Sequence, residues 1–172
     1  MGESPTLPLS HSIFINDDAA QQAGMEPTMK FSTKCEYGIR AAIDLALRYG
    51  QGYVQRTDIA TRQRIPEPYL VQILTTLRKG GYIRSVRGPK GGHALTRRPE
   101  TITLGEMVCL LEGPITPTGC LDNATCELSE DCLLRDTWVE IKEAIERVLY
   151  SITLEDLCNK KRSRENVVMY HI

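Results

Sequence analysis

Leu77-Arg78-Lys79-Gly80-Gly81-Tyr82-Ile83-Arg84-Ser85-Val86-Arg87-Gly88-Pro89-Lys90-Gly91-Gly92-His93-Ala94-Leu95-Thr96 is the stretch that decides the fold. Gly80-Gly81 stops the helix that precedes it, since glycine is costly inside a helix and readily takes up the left-handed cap conformation. Two short runs follow, Tyr82–Val86 and His93–Thr96, and between them lies Arg87–Gly92, whose glycines and proline read as a turn. The pattern predicts a β-hairpin with a basic tip.

Working back from the hairpin, Leu70, Ile73, Leu74 and Leu77 recur at helical spacing and predict a helix from Pro68 to about Lys79, with the proline tolerated in its first turn. Ile65-Pro66-Glu67-Pro68 reads as a turn, because a residue before proline is driven out of helical geometry. Thr57, read as an N-cap, starts a short helix to about Gln63. A first helix is predicted from Ser32 to Tyr49, with apolar positions from Tyr37 to Leu47 and a stop at Gly50 and Gly52. Helix, short helix, turn, helix and basic hairpin is the order of a winged helix-turn-helix, a fold that lays its third helix in the DNA major groove.

Downstream, Thr103-Leu104-Gly105-Glu106 predicts a capped helix running to about Glu112. A polar, cysteine-bearing loop follows. The longest amphipathic run, from about Leu133 to Ile152, places Trp138, Ile141, Ile145, Val148 and Ile152 three, four, three and four apart along one face. That is the seam of a packed helix pair, and little apolar sequence remains elsewhere to cover it, so it is assigned to a dimer interface rather than to the chain's own core. Thr153 to Cys158 reads as a final turn of helix before the basic tail Lys160-Lys161-Arg162-Ser163-Arg164. The class is mainly α with a small β-hairpin wing and a long C-terminal dimerisation helix. Its expected parts are a disordered extension (1–28), the winged domain (29–98), a linker helix (99–117), the cysteine loop (118–134), the dimerisation and end helices (135–158) and a tail (159–172).

Charge points the same way. The formal net charge of -1 conceals opposed parts: no bases and 4 acids up to Thr28, 14 bases and 4 acids from Met29 to Arg98, and 7 bases and 14 acids thereafter. The middle part suits a polyanion such as double-stranded DNA, because neutralising phosphates releases condensed counterions. On the third helix the expected contacts are Pro68, Tyr69 near a phosphate and Gln72 at adenine, with Arg78 and Lys79 at its end. On the hairpin they are Arg84, Arg87 and Lys90, Arg87 being suited to a narrow minor groove, with Arg97 and Arg98 adding to the basic crowd. No apolar run reaches membrane-spanning length, and no secretory signal opens the chain, so a bacterial cytoplasmic location is expected.

Of the six cysteines, Cys120, Cys126 and Cys132 form Cys-x5-Cys-x5-Cys. Thiolates converging from a polar loop suit an iron–sulfur centre or zinc, and the absence of ligand pairs two to four residues apart weighs against zinc. A fourth ligand is missing from the loop's cysteines; Glu36, His93, Cys109, Asp131, Cys158 and His171 are the candidates. Catalysis has little support. No cysteine stands with an obvious histidine and acid, and no Walker-type phosphate loop occurs.

The hairpin motif, with Met29-Lys30-Phe31-Ser32, Tyr37, Ala41–Ala46, Ile65-Pro66, Tyr69-Leu70, the cysteine loop and Ile152-Thr153-Leu154, resembles the IscR-like transcription regulators from Met29 to about Cys158. The resemblance implies a homodimer joined through the long helix on a two-fold operator, with Cys120, Cys126 and Cys132 holding a cluster, 2Fe-2S rather than 4Fe-4S. Arg135 stands where the family's usual histidine ligand would be, and an arginine cannot ligate iron. Some relatives use an acidic side chain near the start of the first helix, reaching from the other subunit, and Glu36 matches that position. Val71 stands where the family has an acidic base reader, whereas Arg87 matches its minor-groove arginine. The signal would be iron, oxygen, redox state or nitric oxide. The alternatives are a regulator of the same fold acting through thiol oxidation or zinc, and a protein-binding module without a DNA role.

Overall fold

The computed structural model describes residues 31–118, 121 and 132–169. Along them run α1 (Thr33–Ala46), α2 (Arg56–Gln63), α3 (Glu67–Lys79), β1 (Ile83–Val86), β2 (Gly92–Leu95), a 3-10 turn (Pro99–Thr101), α4 (Leu104–Glu112), α5 (Arg135–Ser151) and α6 (Leu154–Met169). The expected 1–28 extension lies outside the described residues.

Helix α1 is the post around which the rest packs. The Ser32 hydroxyl accepts the Cys35 N–H at 3.2 Å and caps the helix. Small residues on its inner face let neighbours approach: a Cβ on Gly38 would stand 2.5 Å from Leu111 Cδ1 of α4. Around α1, Leu45, Ile59, Leu70, Ile73, Leu77, Ile83, Ile102, Met107 and Leu154 form one buried core. Each fully buried side chain of this kind contributes about 2 kcal/mol. A second cluster joins Cys35, Val108, Leu111 and Leu149.

The hairpin pairs antiparallel, with Ile83 opposite Leu95 and Val86 opposite Gly92. Its tip requires glycine for space as well as conformation: a Cβ on Gly91 would lie 2.1 Å from the Val86 carbonyl oxygen, and Gly92 has φ +142°. Helix α2 starts earlier than the Thr57 cap implied. Gln55 is its N-cap, and the Gln55 side chain leaves the helix end to donate to the carbonyls of Pro89 (3.1 Å) and Gly91 (2.9 Å). The hairpin tip is thereby tied to the start of α2.

The C-terminal segment corrects the short final turn and free basic tail. Thr153 and Asp156 form a reciprocal cap, with the Thr153 N–H donating to Asp156 Oδ2 at 2.9 Å and the Asp156 N–H to Thr153 Oγ1 at 3.1 Å. From it α6 runs to Met169, so Lys160, Lys161, Arg162 and Arg164 lie on a helix, with Arg162 2.8 Å from Glu155. The α5–α6 junction is pinned to the domain by Leu104 N–H to the Ile152 carbonyl (2.7 Å) and Leu154 N–H to the Ile102 carbonyl (2.9 Å).

Asp44 is a carboxylate only 1% exposed in the last turn of α1. Arg62 of α2 grips it with Nη2 at 2.7 Å and Nε at 3.0 Å; Gln63 Nε2 and Arg48 Nη1 each approach to 3.1 Å. Burial pushes the Asp44 carboxyl up, but hydrogen bonds from Arg62 and Gln63 and the charges of Arg48 and Arg62 outweigh it and hold the group below the usual carboxylate range. We predict that Asp44→Ala costs about 3 kcal/mol in urea unfolding near neutral pH. Because the folded pKa is depressed, the contribution is present above the unfolded value of about 3.9 and fades as pH falls through the folded one. Stability curves of wild type and variant should therefore converge in acid; a gap of constant size down to the acid transition would contradict the assignment.

Candidate functional site

Helices α2 and α3, the turn between them and the hairpin form one surface. Pro68, Val71, Gln72, Arg78 and Lys79 are exposed along α3, opposite its buried Leu70, Ile73, Leu74 and Leu77. Tyr69 is half-buried at the start of α3, its ring packed edge-on against Tyr37 of α1 with centroids 5.8 Å apart. Arg56, the first residue of α2, bonds Glu67, the first residue of α3, at 2.7 Å and braces the turn between the two helices.

The hairpin's cations fall into two groups that the sequence could not separate. Arg97 is bound to Glu106 at 2.7 Å, Arg98 to Glu100 at 2.6 Å, and Arg84 lies over the Tyr53 ring at 5.5 Å. Arg87 and Lys90, at the tip, are exposed and form no ion pair among the described residues. The two tip cations and the α3 side chains are thus solvated and unpaired, on elements held in register by Gln55.

Between α3 and the hairpin lies a cleft bordered by Arg56, Arg78, Ser85 and His93. The His93 backbone is fixed by paired bonds to Val54 (2.8 and 2.9 Å), and its Nδ1 lies 2.8 Å from Ser85 Oγ. Burial, then the charges of Arg56 and Arg78, hold the imidazole below its ordinary pKa. His93 was a candidate cluster ligand in the sequence; the structure places it here, between α3 and the hairpin. Neither this cleft nor the role of Gln55 was read from the sequence, since both arise from contacts across about 20 to 40 residues of chain.

Of the predicted cluster ligands, Cys120 and Cys126 lie outside the described residues, as do Asp131 and His171. Cys132 is half-buried just ahead of α5. Glu36 stands in the first turn of α1, its side chain 64% exposed and paired, among the described residues, with Arg40 at 3.3 Å. That turn is at the root of the cysteine loop: the Ser32 N–H donates to Glu112 Oε1 at 2.6 Å, and Lys34 Nζ to the Leu111 carbonyl at 2.9 Å. An accessible carboxylate near the loop's root fits a donor set of three thiolates and one oxygen.

The remaining cysteines separate. Cys158 is 0% exposed, packed between α6 and α1 with its thiol 3.9 Å from the Ile43 carbonyl, which removes it from the candidate ligands. Cys35 is equally buried, and burial followed by the Glu112 charge pushes its thiol up to about 11. Cys109 is half-buried, 3.4 Å from the Tyr150 hydroxyl, beside a cleft that Leu121 also borders. Hydrogen bonding to Cys109, then burial, pushes Tyr150 up to about 12.

The predicted seam on α5 splits. Ile145 packs with Leu149 on the second core cluster of its own chain, and Ile152 caps the helix with its carbonyl bound to Leu104. Val148 is 58% exposed, while Trp138 and Ile141 are half-buried and belong to neither core cluster. Trp138, Ile141 and Val148 therefore form an apolar strip beside the intrachain one. No helix among the described residues is long and apolar enough to cross a membrane.

Residues 31–160 match the Rrf2 family model, described as iron-dependent transcriptional regulators. The chain is 37% identical to the transcriptional regulator CymR of Bacillus subtilis over 84% of its own length and 100% of that protein's. It is 34% identical to the regulator IscR of Pectobacterium atrosepticum, over 77% and 81% respectively. The solved structure of B. subtilis CymR, described as the global cysteine regulator of that organism, superposes with a TM-score of 0.65 at 37% identity, covering 77% of this chain and 98% of that one. For T. potens IscR the TM-score is 0.62 at 38% identity, covering 78% and 89%. With the helix-turn-helix and hairpin described above, these matches establish that the chain belongs to the Rrf2 family of DNA-binding transcription regulators.

Proposed function

We propose that this regulator binds a two-fold operator as a homodimer and reports iron, oxygen, redox or nitric oxide state through an iron–sulfur cluster held by Cys120, Cys126 and Cys132, with the partner subunit's Glu36 as fourth ligand. The observation that carries the DNA reading is the set of unpaired side chains on one surface: Gln72, Arg78 and Lys79 on α3, and Arg87 and Lys90 at the hairpin tip. With α3 in the major groove, Gln72 presents an amide that suits adenine, and Pro68 and Tyr69 lie at the helix start beside the backbone. Arg87 reaches the adjacent minor groove, where negative potential favours a guanidinium. Arg84 serves mainly to stiffen the hairpin through Tyr53.

The cluster reading rests on the cysteine spacing, the iron-dependent description of the family and the IscR relatives. When bound, such a group supplies an iron centre whose state responds to electrons and small oxidants. Three soft thiolates and one hard carboxylate are an unequal set, so the carboxylate bond is the one most readily exchanged. The cysteine spacing favours 2Fe-2S by resemblance. Dimer formation is assigned to Trp138, Ile141 and Val148, because Ile145 and Ile152 are already engaged within the chain.

A second reading is favoured by Cys109, half-buried beside Tyr150, and by the likeness to CymR, which has been solved from Staphylococcus aureus in an oxidized form at 36% identity. In it the thiols sense directly, through oxidation or zinc.

Three measurements test these assignments. Protein purified without oxygen should contain iron and sulfide in equal amounts with visible absorbance, lost in Cys126→Ala and shortened in lifetime in Glu36→Ala. A colourless protein whose DNA binding changes with thiol oxidation would transfer the sensing to the thiols. Arg87→Ala should weaken operator binding about tenfold, or ~1.4 kcal/mol, at an unchanged unfolding midpoint; undiminished affinity refutes the hairpin contact. Val148→Lys should convert the dimer to folded monomer in sedimentation, and a persistent dimer would move the interface elsewhere.

A further inference from the structure

The cleft between α3 and the hairpin brings together three cationic or protonatable groups, of which Arg78 and His93 have no anionic partner among the described residues and Arg56 shares the Glu67 carboxylate. Arg56 enters from α2, Arg78 from α3, and Ser85 and His93 from the two strands. The carboxylate that α3 brings here is Glu67, already bound to Arg56 at 2.7 Å, and Arg78 has no ion pair among the described residues. The imidazole is fixed by its backbone bonds to Val54 and by Ser85 at Nδ1, and its Nε2 has no hydrogen-bond partner among the described residues. Ser85 suits either protonation state. Its hydroxyl donates to Nδ1 of the neutral ring and accepts from Nδ1–H of the imidazolium, so protonation changes the charge without breaking the bond.

Position identifies the anion. A protein that sets a helix in the major groove and a hairpin in the neighbouring minor groove must straddle the sugar-phosphate strand that separates them. The cleft lies between those two elements. We propose that it is a phosphodiester-binding site, in which Arg56, Arg78 and His93 hold the operator strand between the grooves and His93 takes up a proton as the site fills. This rests on the operator-binding reading above and adds to it a contact and a regulation.

The electrostatics set the sign. In the free protein, burial and two nearby guanidiniums disfavour the imidazolium. A phosphate seated among them supplies the opposite charge and favours it. A phosphodiester keeps its charge across the neutral range, so the proton taken up belongs to the protein. Binding that consumes a proton strengthens as pH falls, by at most tenfold per pH unit for one group.

The test uses the full-length chain and a labelled duplex that the protein itself selects from a random pool, with affinity measured by anisotropy between about pH 6 and pH 8 at fixed ionic strength. Wild type should bind on the order of tenfold more tightly at the acid end. His93→Gln should flatten the profile and bind about tenfold more weakly than wild type at pH 6, whereas Arg87→Ala should lose affinity at every pH and keep the slope. Ring-proton NMR supplies a readout independent of the variants: the His93 titration should move upward when duplex is added. A flat wild-type profile, a slope retained in His93→Gln, or a His93 titration unmoved by duplex overturns the proposal. A titration moved by inorganic phosphate but not by duplex would also overturn it, marking a site for free anions. If the protein selects and binds no duplex at any pH, the operator-binding reading itself fails, and the proton-linked contact with it.

Discussion

The buried carboxylate of Asp44 is the interaction on which the DNA-facing half depends. An ionised group with almost no access to water is tolerable only if its lone pairs are filled, and Arg62 and Gln63 of α2 and Arg48 of the turn after α1 fill them. The cost of leaving that charge unpaired fixes the register of α2 on α1 more strictly than apolar packing would, since Ile59 is the one fully buried side chain α2 supplies. Once α2 is fixed, Arg56 braces α3 through Glu67, and Gln55 holds the hairpin tip. A short helix with little apolar surface thus determines the mutual placement of the two elements assigned to the two grooves.

The fold was largely legible because its boundaries are written in residues with strong local preferences. Gly80-Gly81, the hairpin glycines and Pro66 can each do few things, and Thr103 with Glu106 forms the cap that their spacing announces. The failures share a different cause. Gln55 looks like an indifferent polar residue because its partners are carbonyls about 35 positions away, so Thr57 seemed the better cap. Helix α6 was hidden by its charge: Lys160 to Arg164 resembles a solvated tail, although Thr153 and Asp156 carried the capping signal for a helix start. On α5 a single period of three and four served two adjacent faces, and periodicity alone cannot say that Ile145 turns toward the chain's own core while Val148 turns away from it.

At the candidate site the legible part is again what is local. Arg87 follows from its glycine-bounded turn, and Gln72 from its place opposite a buried stripe. Pairing is not local, so Arg97 and Arg98 were counted among free cations until Glu106 and Glu100 were seen beside them. His93 shows the same limit from the other side. A histidine in a chain with a ligand missing from a cysteine loop draws attention as a metal ligand, yet strand pairing with Val54 commits His93 to the hairpin. The cysteines are likewise sorted by burial rather than by spacing: Cys35 and Cys158 are core residues, and only Cys109 and Cys132, of the described ones, have partial access to solvent.

On the proposed ligand set, sensing and DNA reading meet in α1. Its first turn carries Glu36 and, through Ser32 and Lys34, holds the end of α4 from which the cysteine loop departs; about two turns later the same helix carries Asp44 and the latch to α2. Close packing makes such a helix a poor absorber of displacement, because Gly38 already lies against Leu111 with no space for a methyl group. A force applied where Glu36 is engaged therefore acts on a rigid body to which α2 is bound by charge. The coupling needs no relay of moving side chains, only a change in whether the first turn of α1 is held from outside the domain. In the proposed ligand set the fourth donor sits on α1, and not at the start of α5 where Arg135 stands, so the cluster would act directly on the helix to which α2 is bound.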